Sequence, residues 1–187
     1  MKNKLQLWTD GSCKKNGQKG AYGGWAAIII DKEMEGEFRA CGREESTTNN
    51  IMEMKAMING LKTITDFYGD DVEVTVYSDS AYVLNCRAQR WYENWRKNGW
   101  KNAKREKVKN RELWEELIPY FENPNFSFEK VAGHVGIRYN EMVDTLAQGA
   151  AENQENFKVP ISGEKITWTL FKWEDLKFEE ANDKWLM

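Results

Sequence analysis

The chain is poor in the residues that staple small folds or ligate soft metals. Among its 187 residues are three cysteines, Cys13, Cys41 and Cys86, and one histidine, His134. Three thiols with no paired spacing exclude a disulfide framework and a zinc-finger motif, and point to reduced cysteines in a cytosolic setting. Long apolar runs are also missing. The longest, residues 25–30, falls far short of the roughly 20 residues that cross a bilayer, and Met1-Lys2-Asn3-Lys4 leads into no apolar signal region. There is no internal repeat and no low-complexity stretch. The expectation is a cytoplasmic monomer that stays away from membranes. With 41% hydrophobic residues, a chain of this length can hide roughly 70% of its unfolded surface and needs no staple.

Net charge is only −3, which by itself argues weakly against a polyanionic partner. The average conceals a segregation. Residues 87–111 hold ten Lys or Arg and two Glu, a balance of +8, so the remainder carries −11. A phosphate backbone would be attracted to one face only. Within that segment Trp91, Trp95 and Trp100 interleave with Arg90, Arg96, Lys97, Lys101, Lys104, Arg105, Lys107 and Lys109. Trp91 and Trp95, four apart, share a helix face. These rings can pack a helix onto the body, hold a substrate, or do both. A charge excess this large is more than a solvated face requires.

Hydrophobic periodicity lays out the elements. Residues 5–10 alternate with period two and read as a strand ending at Asp10, followed by a Gly-rich turn over 11–24. Residues 25–30 and 37–43 read as two further strands of a meander. Ile51, Met54, Ile58, Leu61 and Thr65 recur at helical spacing behind the capping residues Thr47-Thr48-Asn49-Asn50. Val72, Val74 and Val76 predict a strand ending at Ser78-Asp79. Helices are expected over 81–90, 91–97 and 110–121, a strand over 126–132, and a last helix over 140–152. This order predicts a mixed sheet with helices on its faces. In the tail, residues 166–173 suit a strand and 174–185 a short helix; its six aromatics must pack on something, though 35 residues are too few for an independent domain.

Four acidic residues share a setting. Asp10 and Asp79 each close a predicted strand, and parallel neighbours would bring both carboxylates to one sheet edge, where open sheets place their sites. Glu53 lies out of phase with the Ile51, Met54, Ile58 stripe, and Asp144 lies early in the last helix. Each also has a plainer role: Glu53 in a capping box with Asn50, Asp10 and Asp79 as turn formers, Asp144 at a helix dipole. If the four converge, repulsion and desolvation demand cations. An all-oxygen set selects Mg²⁺, with Mn²⁺ as a substitute, over zinc. Two such ions roughly 4 Å apart can promote phosphodiester hydrolysis.

Five segments together resemble the type 1 ribonuclease H family: Thr9-Asp10-Gly11-Ser12-Cys13 with Asn16; Thr48-Asn49-Asn50-Ile51-Met52-Glu53; Ser78-Asp79-Ser80; Gly133-His134; and Asn140-Glu141 with Asp144-Thr145-Leu146-Ala147. The resemblance implies an α/β fold, a mixed five-stranded sheet with helices on both faces, over residues 1–152, with 153–187 as an extension of unknown role. It implies an endonuclease that cuts the RNA strand of an RNA–DNA hybrid and leaves 5′-phosphate and 3′-hydroxyl ends. Asp10, Glu53, Asp79 and Asp144 would be the metal quartet, and His134, set between Gly133 and Gly136, would pass protons or help release product. Residues 87–111 would be the basic protrusion, or handle, that grips the DNA strand without reading sequence. Asn16, Thr48, Asn49 and Asn50 would meet the hybrid backbone and minor groove; they also suit capping and turns. Ala81 stands where many bacterial members have Gln, which removes one interaction with the groove. The competing class is a hybrid-binding or interaction module that kept the fold and lost the cutting; all four carboxylates are present, which disfavours it. The extension could dock a partner protein, cover a sheet edge, or do nothing catalytic.

Overall fold

The computed structural model describes residues 3–132, 137–154 and 159–176. An antiparallel meander of β1 (Lys4–Lys14), β2 (Tyr22–Asp31) and β3 (Gly36–Glu45) opens the chain. α1 (Asn49–Tyr68) then crosses to β4 (Glu73–Ser78), parallel to β1. Next come α2 (Ala81–Ala88), α3 (Trp91–Asn98) and α4 (Arg111–Glu122), then β5 (Phe126–Lys130) parallel to β4, and α5 (Arg138–Ala151). In the tail, β6 (Ile161–Ser162) and β7 (Thr169–Lys172) both lie along the outer edge of β3. No helix among the described residues is long and apolar enough to cross a membrane.

The sheet is mixed with helices on both faces, as expected, but has seven strands where five were expected. The two extra strands are the tail's, so of the three roles left open for it, the structure shows sheet-edge cover. β7 falls within the expected strand over 166–173; β6, two residues long, has no periodicity to read. Residues 174–176 form a turn, and the rest of the helix expected over 174–185 lies outside the described residues. One expectation fails instructively. β1 does not end at Asp10, because Ser12 and Cys13 pair with Gly24 and Gly23 of β2. Half of the Gly-rich stretch is strand, and the turn is confined to residues 15–21. Asp10 instead lies two residues past Trp8, the last β1 partner of β4.

β2 is apolar throughout because both its faces are covered. Ala27 and Ile29 join the core under α1, while Ala26, Ile28 and Ile30 join the core under α5. The α1 helix starts at Thr48, whose side chain accepts from the Ile51 amide at 3.2 Å. The cap is therefore Thr48, and the capping box of Asn50 with Glu53 does not form; this frees Glu53 for another role. Two glycines allow the close approaches that set the site. A Cβ on Gly11 would collide with the Glu53 amide nitrogen, and one on Gly24 with the Ala147 carbonyl oxygen. Any side chain at either point would lift α1 off β1, or α5 off β2.

On the α5 side of β3, Glu37 and Arg39 form a fully buried ion pair, with Arg39 Nε and a terminal guanidinium nitrogen donating to Glu37 Oε1 at 2.7 and 2.5 Å. The other carboxylate oxygen accepts from the Tyr139 hydroxyl of α5 at 2.8 Å and from Trp173 Nε1 at 3.4 Å. The Phe171 ring of β7 lies 4.1 Å from the Arg39 guanidinium. The tail thus seals charges that would otherwise sit at an open sheet edge. Losing one partner strands the other in a dry site, so Glu37→Ala is expected to destabilise the fold by about 3–5 kcal/mol. Arg39→Met in the same background should restore part of that loss. Urea unfolding of wild type, single and double variants checks this; a double variant no more stable than the single would contradict it.

Candidate active site

The parallel β1–β4 ladder and the amino-terminal turns of α1 bring Asp10, Glu53 and Asp79 together, with one carboxylate oxygen from each within 4.8 Å of the others. Asp10 and Glu53 are almost completely buried. Asp79 follows β4 directly, and Ser80 behind it caps α2 by accepting from the Val83 amide. Asp144, in the second turn of α5, lines the same cavity of about 420 Å³. It stands at the rim, its Oδ1 accepting from Gln148 Nε2 at 2.7 Å. So three of the four expected carboxylates form a tight cluster and the fourth faces them. Seven residues into its helix, Asp144 lies beyond the first turn where a dipole role would be felt.

The electrostatics are those of a site that needs a cation. Burial, then the charges of Asp79 and Asp144, push the Asp10 carboxyl up to about 8; a hydrogen bond with Glu53 and the Gly11 amide, 2.8 Å from Oδ1, pull the other way. Glu53 is held well above the usual carboxylate range, first by burial and then by Asp10 and Asp79. Among the described residues Glu53 Oε2 is buried with no hydrogen-bond partner. A buried acceptor left bare costs about 1–3 kcal/mol unless something satisfies it. An all-carboxylate set around a bare oxygen fits a hard divalent ion, so the acidic triad can bind metal.

The polar residues expected to meet substrate divide in two. Asn49 and Asn50 line the carboxylate cavity. Asn16 is one step back, its Oδ1 accepting from the Asn49 amide at 3.0 Å, and Thr48 serves as the helix cap. His134 lies outside the described residues. Ala81, the position marked in the sequence for a missing groove interaction, lines the cavity too; Ser12, Cys13, Tyr82 and Gln148 also line it and were given no role from sequence. Of these, Gln148 had a usable signal, since it lies four residues after Asp144 and shares its helix face. Tyr82 had none; its helix carries it to the rim.

Tyr82 also lines a second, larger groove of about 680 Å³, bounded by Trp91, Trp95, Lys97, Lys101 and Lys109. The handle is rooted through rings: Trp95 lies 6.3 Å from Trp91, 5.7 Å from Trp100 and 5.6 Å from the buried Trp114. All three handle tryptophans pack against the core. Trp91 and Trp95 also face the groove, whereas Trp100 does not and instead carries the Arg111 guanidinium 4.8 Å from its ring. Arg90, Arg96 and Arg111 form ion pairs with Glu93, Glu122 and Glu115. Lys97, Lys101, Lys104, Arg105 and Lys107 are exposed, and no acidic partner holds them among the described residues. Their loop is ordered by backbone pairing of Lys101 with Lys107 and by Asn102 Oδ1, which accepts from the amides of Lys104 and Glu106.

Comparison with known proteins finds relatives over most of the chain. The family model described as RNase H matches residues 2–152. The chain is 44% identical over 142 residues to a ribonuclease H of Caldicellulosiruptor saccharolyticus, covering 76% of this chain and 92% of that one. It is likewise 44% identical over 147 residues to a ribonuclease H of Syntrophomonas wolfei, covering 79% and 95%. Among solved structures it is similar to a type 1 RNase H that carries a type 2 active-site motif, at a TM-score of 0.69 and 26% identity, covering 82% of this chain and 74% of that one.

The raised carboxyls make a stability prediction for the metal-free protein. Asp10 has a folded value of about 8 against an ordinary 3.8, so over that interval the folded state holds a proton that the unfolded state has released. The contribution of this carboxyl to stability is therefore fullest at and below about pH 4 and declines as pH rises towards about 8. In chelator, Tm should fall from pH 5 to pH 8. Asp10→Asn should flatten the fall and raise Tm at pH 8 by roughly 2–4 °C, and Mg²⁺ or Mn²⁺ should protect wild type more at pH 8 than at pH 5. A variant whose Tm falls as steeply as wild type would show that the charge cluster is not the cause.

Proposed function

We infer that this chain, which belongs to the ribonuclease H family, is an endonuclease that hydrolyses the RNA strand of RNA–DNA hybrids and leaves 5′-phosphate and 3′-hydroxyl ends. The observation that carries the reading is the acidic triad, two of its members buried, around the bare Glu53 oxygen, lining a cavity that shares Tyr82 with a basic groove. A double-stranded substrate can lie across both. We assign Asp10, Glu53, Asp79 and Asp144 to metal binding, with Mg²⁺ as the resident ion and Mn²⁺ as its substitute. Two bound ions would supply the positive charge that favours an attacking water and a leaving 3′ oxygen.

The chain's own residues do the rest. Gly11 keeps Asp10 and Glu53 adjacent, Gln148 orients Asp144, and Asn49 and Asn50 present amides that can donate to or accept from base edges and 2′-hydroxyls. Asn16 fixes Asn49 from behind. The uncut DNA strand follows the groove, with Lys97, Lys101, Lys104, Arg105 and Lys107 on its phosphates and Trp91 and Trp95 as the floor; Trp100 holds the handle in place. His134 is assigned proton transfer or product release on the sequence resemblance.

Incubation of a labelled RNA–DNA hybrid with Mg²⁺, beside double-stranded RNA and double-stranded DNA, tests the activity; cutting confined to the RNA of the hybrid is the expected result. Asp10→Asn should abolish cutting while hybrid affinity stays within about tenfold, since the amide keeps the shape and loses the charge that recruits cations. Full activity of that variant in Mg²⁺ would refute the site. Replacing Lys101, Lys104, Arg105 and Lys107 together with Gln should weaken hybrid binding and flatten its salt dependence, by a slope of roughly 0.7–0.9 for each phosphate that is no longer neutralised. Turnover at saturation should hold. An unchanged salt slope would remove the handle from substrate binding.

A further inference from the structure

The loop between β1 and β2 carries charge that the handle and the carboxylates do not account for. Residues 11–30 contain Lys14, Lys15 and Lys19 and no acidic residue. Lys14 is engaged by Glu152 at 3.2 Å. Lys15 and Lys19 are exposed and have no ion-pair partner among the described residues. The turn that presents them is ordered. Gln18 and Ala21 donate their amides to the carbonyls of Lys15 and Gln18 at 2.9 and 3.2 Å, and Lys15 itself takes a left-handed backbone at φ 54°.

This turn is fixed to the edge of the candidate active site. The Ser46 amide donates to the Ala21 carbonyl at 2.8 Å, and Asn16 accepts from the Asn49 amide at 3.0 Å. Asn49, and Cys13 two residues before Lys15, both line the carboxylate cavity. Tyr82, which leads to the basic groove, lines the same cavity from α2. Followed through shared lining and hydrogen bonds, the connection runs from the basic groove through Tyr82 to the carboxylate cavity, and from there through Asn49 and Asn16 to the lysine turn. The acidic centre thus adjoins one basic segment through Tyr82 and another through Asn49 and Asn16.

We propose that Lys15 and Lys19 form a second phosphate-binding site, which holds the RNA strand of the hybrid on the side of the carboxylates away from the handle. This rests on the hybrid-nuclease reading above. The strand being cut must cross the carboxylates, and the handle takes the uncut strand on the Tyr82 side. A duplex seated there brings the continuing RNA backbone to the opposite flank, where a polyanion leaving a strongly acidic centre meets two unpaired cations. The turn thus sets the register of the scissile strand and offsets its repulsion from the carboxylates.

The test compares wild type, Lys15→Gln with Lys19→Gln, and a charge-matched control, Lys4→Gln with Lys32→Gln, whose lysines lie at the far ends of β1 and β2. All four lysines are exposed, so thermal melts should coincide. KM for a labelled hybrid should rise roughly three- to tenfold in the turn variant, with kcat at saturation unchanged and the log–log salt slope reduced by about 0.7–0.9 for each phosphate released from a lysine. The control should resemble wild type. Single methylphosphonate linkages, which are uncharged, are then placed in either strand. The turn variant's defect should vanish when the neutral linkage is in the RNA strand at the turn and persist when it is in the DNA strand. The reverse pattern overturns the strand assignment. An unchanged KM and salt slope, or an equal effect of the control, overturns the second site while wild-type cutting leaves the nuclease reading standing. Failure of wild type to cut hybrid at all overturns that underlying reading instead.

Discussion

Three carboxylates gathered within 4.8 Å, two of them buried, repel one another, and much of the molecule is arranged around that repulsion. Proximity has to be imposed by packing, because the charges would drift apart on a looser scaffold. Gly11 lets α1 press against β1, and the end of the β1–β4 ladder leaves Asp10 and Asp79 without intervening backbone. The result is a centre whose metal-free form keeps protons at pH values where ordinary carboxyls have lost them. A bound cation would replace those protons, which would couple ion binding to stability.

The same repulsion explains why positive charge is sequestered. A uniformly basic surface would compensate the carboxylates and compete with the metal; instead the excess is held on a projecting loop and at one small turn. The handle can project because a ladder of rings anchors its base, from Trp91 through Trp95 to the buried Trp114. Its arginines at 90, 96 and 111 are held by glutamates, and Lys97, Lys101, Lys104 and Lys107 are left to solvent. The fixed pairs of this segment all use arginine, whose planar fork suits them, while Arg105 stays exposed with the lysines.

Much of this is legible in the sequence, for identifiable reasons. The helix carrying Glu53 announces itself through Ile51, Met54, Ile58 and Leu61, and the charge of residues 87–111 needs only counting. Asp10 stands out for a reason that is partly wrong. It reads as a strand end, because glycines 11, 23 and 24 suggest a turn, whereas here they are small residues in a ladder where helices approach closely. The Thr48 cap is masked by Asn50 because four capping residues stand in a row, and only backbone geometry chooses among them. The Glu37–Arg39 pair is invisible for a different reason. Alternating charges in an edge strand normally mean a solvated face, and the cover comes from aromatics 102 to 136 residues later.

That separation has a consequence for the order of assembly on the ribosome. A chain emerges amino end first, at roughly 5–20 residues each second, so β1 to β3 and α1 leave the exit tunnel long before Phe171 and Trp173 are made. Throughout that interval Glu37 and Arg39 sit hydrated on an open strand edge, where charged side chains discourage pairing with a neighbouring nascent chain. When the tail arrives it dries the pair and occupies the edge. One pair of residues therefore serves as a guard against misassembly early in synthesis and as a buried tie after release.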